Sequence, residues 1–167
     1  MRQKLTIANA LSALRIILSV ALLAPPALSS TFLTLYAMAG LTDMLDGYVA
    51  RRTKTESELG AKLDSAADLA LTVICLAKVL PTVAVPAWLW AWVAAIAVVK
   101  MVNAVSGLVM RKRLVMPHTT ANKAAGFVAF LVPFAIPIFG IVVPSIPACV
   151  LATFAAVQEG HLIRAGL

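Results

Sequence analysis

The sequence has little charge, and very little of it is acidic. Charged side chains make up 13% of its 167 residues, and only seven of those are Asp or Glu. Soluble domains carry about 25% charged residues, so a water-facing globular surface of the usual kind is excluded. Aromatics reach only 7%. No basic helix interleaves with them, so the net charge of +7 is not read as a nucleic-acid footprint. The two cysteines, Cys75 and Cys149, lie far apart in apolar runs. That spacing is not of the metal-ligand type and suits small buried hydrophobes. Internal repeats and low-complexity tracts are also missing.

What is present is apolar: 62% of the chain is hydrophobic. This composition predicts an all-α integral membrane protein, a single domain over 1–167 with six transmembrane helices and a short N-terminal interfacial segment. Residues 1–8 are the basic lead-in. Arg2, Lys4 and the apolar run up to Ala24-Pro25-Pro26-Ala27 resemble a signal peptide, but Arg15 interrupts the run, and a retained first helix is expected. Spans are expected over about Asn9–Ala24, closed by Pro25-Pro26, and from a cap among Ser29, Ser30 and Thr31 to about Arg52. A third should cover about Glu58–Leu80, before Pro81. The fourth should start near Pro86 and close at Arg111-Lys112-Arg113. A fifth is expected over Thr119–Ile138, with Pro133 and Pro137 kinking or ending its far half. The sixth should start around Pro144 and Pro147 and close near Gln158 and Glu159. Trp88, Trp90 and Trp92 suit an interfacial aromatic belt.

Charge orients this arrangement. With the N-terminus inside, Arg51, Arg52, Lys54, Arg111 to Arg113 and Arg164 are cytoplasmic. The opposite loops, around 25–30, 81–86 and 140–147, carry no Lys or Arg, as the positive-inside rule requires.

Six of the seven acids fall between Asp43 and Glu58 or at Asp64 and Asp68, in the stretch DMLDGYVARRTKTESELGAKLDSAAD. Acids in apolar helices are costly to hold, so they mark a functional site by default. Residues three or four apart share a helix face. Asp43, Asp46, Gly47 and Ala50 therefore line one stripe, and Gly60, Asp64 and Asp68 another. Asp46 and Asp64 each lie about 10 Å from the intervening turn at the helical rise, so an antiparallel hairpin brings four carboxylates to two matched levels. Such a group needs compensating charge. Arg15 and Arg51 supply some, and one or two hard divalent cations, Mg2+ or Mn2+, would supply the rest. Paired metals are a common clamp for displacement at phosphorus. Gly47 and Gly60 leave room for a phosphate or nucleotide to approach the backbone.

The pattern D-x2-D-G-x2-A-R-x8-G-x3-D-x3-D resembles the signature of the CDP-alcohol phosphotransferase family, filled here by Asp43, Asp46, Gly47, Ala50, Arg51, Gly60, Asp64 and Asp68. The stretch Ile7 to Arg15 is similar to the family's opening P-N-x-L-T-x-x-R, with Ala8 in place of Pro and Ser12 in place of Thr. The resemblance implies a membrane enzyme, usually a homodimer in a prokaryotic plasma membrane, with a cytoplasm-facing site. It would move a phosphatidyl group from CDP-diacylglycerol to a small polar alcohol and release CMP. It assigns Asp43, Asp46, Asp64 and Asp68 to the metals, Asp68 also to the base, and Gly47, Ala50, Arg51, Gly60 and Asn9 to the CDP donor. Arg111, Lys123, His118 and Arg15 are candidates for the acceptor. Glycerol 3-phosphate is slightly preferred, with serine or inositol phosphate as alternatives. Members with Pro after the third Asp and Lys after the fourth often use glycerol phosphate, and here those positions are Ser65 and Leu69. The rival of another class is a divalent-cation transporter, which has no need of Arg51 beside the acids.

Bland roles are expected elsewhere. Thr42 can satisfy its own helix backbone, Lys62 can pair with Glu58, and His161 suits an interface. Lys100 and Asn103, both mid-span, should face the bundle interior.

Overall fold

The computed structural model describes residues 7–53, 58–111 and 119–165, and within them the side chains of 9–45, 60, 62–108 and 119–164. Among the described residues there are six α-helices and no strand: α1 (Ile7–Ala21), α2 (Ser30–Thr53), α3 (Glu58–Val79), α4 (Ala87–Arg111), α5 (Thr120–Phe139) and α6 (Val142–Ala165), with a 3-10 turn at Leu80–Thr82. The all-α expectation holds. Ala87–Leu108, Thr120–Phe139 and Val142–Arg164 are long and apolar enough to cross a membrane, and Asn9–Ala21 is a shorter apolar helix. Helices α2 and α3, at 24 and 22 residues, reach about 36 and 33 Å at the helical rise, enough for a hydrocarbon core of roughly 30 Å. They also carry the acids of the motif.

The surface is inverted relative to a water-soluble bundle. Asn9, Ser12, Arg15 and Ser19 are buried on one face of α1, while Leu14, Ile17 and Val20 are exposed on the other. Met38, Leu41, Val98, Met101, Ile138 and Phe154 are likewise exposed, whereas Asn103, Ser145 and Glu159 are buried. Apolar outside and polar inside is what a lipid solvent selects, because a polar group facing hydrocarbon has no partner there.

The chain forms two compact units, Met1–Thr82 and Val83–Leu167. In the first, α1 packs along both α2 and α3, which touch each other far less. α2 contributes Phe32, Tyr36, Ala39 and Thr42 to the buried face, and α3 contributes Ala67, Leu71, Cys75 and Val79 at four-residue spacing. The Ser29 hydroxyl accepts from Phe32 N at 3.2 Å and so supplies the expected cap of α2. Lys78 donates to Leu23 O at 2.9 Å, which satisfies a carbonyl just beyond the end of α1. In the second unit, α6 packs against both α4 and α5.

Three boundaries differ from expectation. α1 ends at Ala21 rather than Ala24, because Pro25 disfavours helical geometry at the residue before it. α6 starts at Val142 and takes in both prolines. Pro144 falls in the first turn, where a missing N–H costs nothing. α6 also runs on to Ala165, through Gln158 and Glu159, since Glu159 has a partner within the unit. Pro133 and Pro137 lie inside α5 and do not stop it before Phe139.

Candidate active site

The described site lies within the first unit and is built by three helices. Asp64 and Asp68 lie one turn apart on α3, on either side of buried Ala67, and Asp43 follows buried Thr42 on α2. The packed stripes of both helices thus carry the acids at their edges. Arg15 enters from α1 with its side chain wholly buried. Its Nη1 lies 3.1 Å from Asp43 Oδ1 and 3.0 Å from Asp64 Oδ1, and it also bonds Asp68 Oδ1. The three carboxylates offer oxygens all within 4.8 Å of one another. Each acid side chain is about half exposed, 44–53%, against zero for Arg15. The cation therefore closes the cluster on its helix-packed side, and the acids keep an open side for a ligand.

This arrangement differs from the expected hairpin in how it is held. A two-helix hairpin was to bring the acids together, but α1 lies along both partners and its arginine touches all three described acids. Arg15, expected both to supply charge to the acids and as a candidate for the acceptor, sits on the carboxylates. Asn9 and Ser12 share its buried face of α1. Thr42 is buried and donates to Ala39 O at 2.6 Å, so it does satisfy its own helix. Gly60 lies one turn before Asp64 on α3. The side chains of Asp46, Ala50, Arg51 and Arg111, with Gly47 beside them, and the whole of His118 lie outside the described residues. Lys123, in the second unit, is exposed on the first turn of α5.

The second unit holds a polar cluster that the motif does not contain. Lys100 of α4 donates to Asn122 Oδ1 of α5 at 3.0 Å and lies 3.4 Å from Glu159 Oε2 of α6. Asn122 Nδ2 reaches the same Glu159 oxygen at 3.5 Å. Asn103, one turn on from Lys100, donates to Ala156 O at 2.7 Å. Asn103 is buried as expected, while the Lys100 side chain is 42% exposed. The sequence held a usable signal for this pair: Glu159 is the one acid outside the window, and Lys100 is a mid-span base. Trp92, expected in an interfacial belt, donates to Thr153 Oγ1 at 3.1 Å, while Trp88 and Trp90 stay exposed. Both cysteines are free and buried.

Helices with lipid-type surfaces and a carboxylate–arginine cluster on the first three of them define an integral membrane protein with an acidic site. The chain belongs to the CDP-alcohol phosphatidyltransferase family, which it matches over residues 5–158, across both units. It is 54% identical over 44 residues to a CDP-diacylglycerol–glycerol-3-phosphate 3-phosphatidyltransferase of Cereibacter sphaeroides, covering 26% of this chain and 20% of that protein. It is 45% identical over 53 residues to the protein of the same name from Haemophilus influenzae, covering 30% and 29%. The chain thus spans less than a third of the length of the curated relatives it matches. No solved structure matches it.

Proposed function

We propose that this protein transfers a phosphatidyl group from CDP-diacylglycerol to glycerol 3-phosphate, releasing CMP. The observation that carries this reading is the gathering of Asp43, Asp64 and Asp68, three positions of the family motif, around one point with half of each carboxylate open. Membership of the family supports the transfer chemistry, and the names of the two relatives support the acceptor. The loop charges favour a site on the cytoplasmic side. A homodimer is part of the proposal on family grounds.

The carboxylates form a hard-oxygen donor set gathered within 4.8 Å, the ligand chemistry that suits Mg2+ or Mn2+, so Asp43, Asp64 and Asp68, with Asp46 of the same motif, would hold one or two such ions. When bound, the metal supplies charge neutralisation for the donor diphosphate and the departing CMP. The chain's own residues do the rest. Gly47 and Gly60 let the nucleotide lie close to the helix backbones, and Ala50, Arg51 and Asn9 complete the donor site. Asp68 accepts the proton of the acceptor hydroxyl as its oxygen attacks phosphorus. The open apolar faces leave the diacyl tails in lipid, which spares the cost of enclosing them.

Assay of purified protein in detergent with magnesium tests the reading. CMP should be released from CDP-diacylglycerol with glycerol 3-phosphate, and more slowly or not at all with serine or inositol phosphate. The Asp68→Asn variant should lose turnover by about 10²- to 10⁴-fold, the range for a general base, while still binding CDP-diacylglycerol. No CMP release with any acceptor, together with cation uptake into liposomes, would favour the transporter instead.

A further inference from the structure

We propose that Arg15 is a built-in counter-ion that holds Asp43, Asp64 and Asp68 together through the oxygens a divalent cation would take, so that its contacts and ion binding are alternatives. The inference rests on the carboxylate cluster being a metal site, and it concerns what the chain itself does there.

A single nitrogen makes all three contacts. Arg15 Nη1 is 3.1 Å from Asp43 Oδ1 and 3.0 Å from Asp64 Oδ1, and it bonds Asp68 Oδ1 as well. A magnesium ion sits about 2.1 Å from its oxygens. An ion on the Asp64 oxygen that Nη1 touches can therefore lie no more than roughly 5 Å from that nitrogen, whatever its direction, since the two bond lengths set the limit. Two cations that close repel strongly in a partly desolvated site. Arginine cannot relieve the repulsion by losing its proton. The side chain is wholly buried, on a helix packed along both acid-bearing helices, so it cannot withdraw between them and can only turn toward the open side of the acids. It has to give up the shared oxygens.

The arrangement has a use. Three carboxylates drawn together without a cation would push the helices apart, and Arg15 keeps α2 and α3 assembled around α1 until an ion arrives. Once displaced, its five-donor guanidinium lies beside the site, free to face an anionic group of the substrate.

The test is Mn2+ binding by purified protein in detergent, read by electron paramagnetic resonance, with thermal unfolding in chelator alongside. Arg15→Met should unfold at a lower temperature than the wild type in chelator, yet bind Mn2+ at least about tenfold more tightly, because the competing charge is gone. In the wild type, Mn2+ should speed phenylglyoxal modification of Arg15, located by peptide mass spectrometry. This arm needs no variant to fold. Unchanged or weaker Mn2+ binding by folded Arg15→Met, or Arg15 modification that Mn2+ leaves unchanged or slows, would overturn the proposal. No Mn2+ binding by either protein would overturn the metal reading beneath it.

Discussion

Gly160 has a specific steric reason to be glycine. A Cβ there would lie 2.7 Å from Asn103 Oδ1, and Asn103 is buried and tied to Ala156 O. The side chain that would have to yield is therefore not free to move. Gly160→Ala should lower stability by about 1–3 kcal/mol, the range for overpacking in a well-filled interior, measured as a lower unfolding midpoint in detergent. Gly126, which has open space around it, should tolerate alanine. At the same scale, Arg15 is the residue whose importance is easiest to underrate. As a base in an apolar helix it reads as part of the charge that compensates the acids or as an acceptor contact, and its zero exposure and three acid partners show how closely it holds them.

Among the elements, α5 ends on Gly140, whose φ of 69° and ψ of 177° lie in a region that is essentially glycine's alone. Its N–H closes the helix onto Ile136 O at 2.9 Å. Gly140→Ala should cost about 1 kcal/mol or more, seen as a lower midpoint. Helices α4, α5 and α6 are joined by Lys100, Asn122 and Glu159, an interhelical polar link of the kind worth about 0.6–2 kcal/mol in a membrane. Lys100→Met or Glu159→Gln alone should destabilise by about that amount. The double variant should lose less than the sum, because neither partner is then left unpaired. A double-mutant cycle on unfolding midpoints measures the coupling, and strict additivity would mean the contact carries no energy. In the first unit, Ser29→Ala should cost about 1 kcal/mol through loss of the α2 cap.

For the whole molecule, the proposed chemistry predicts that chelation of divalent cations abolishes CMP release and that Mg2+ or Mn2+ restores it. Activity that survives exhaustive chelation would remove the metal from the account. The inverted surface predicts that the protein extracts only with detergent and aggregates when detergent is diluted, because Ile17, Leu69, Met101 and Ile138 are all exposed.

Much of this was legible in the sequence, for reasons that are local. Helix positions follow from long apolar runs broken by Pro25, Pro26, Pro81 and Pro86. The acids announce themselves because charge is so scarce, and their spacing of three and four residues sets which of them share a face. Boundaries at Ala21, Val142 and Ala165 depart from the apolar pattern because each turns on one local feature: Pro25, the tolerance of Pro144 in a first turn, and the partner of Glu159. Two things could not be read from one dimension. That α1 packs along both α2 and α3, so that Arg15 meets Asp43, Asp64 and Asp68, depends on helix packing between residues as many as 53 positions apart. That Lys100 meets Glu159 depends on how α4, α5 and α6 assemble. The sequence by itself determined the lipid-facing helices and the carboxylate motif, because hydropathy and helical periodicity are properties of neighbours along the chain. Only the tertiary structure decided that Arg15 sits on Asp43, Asp64 and Asp68 at once, because a buried charge takes whatever partner the packing brings within 3 Å or so.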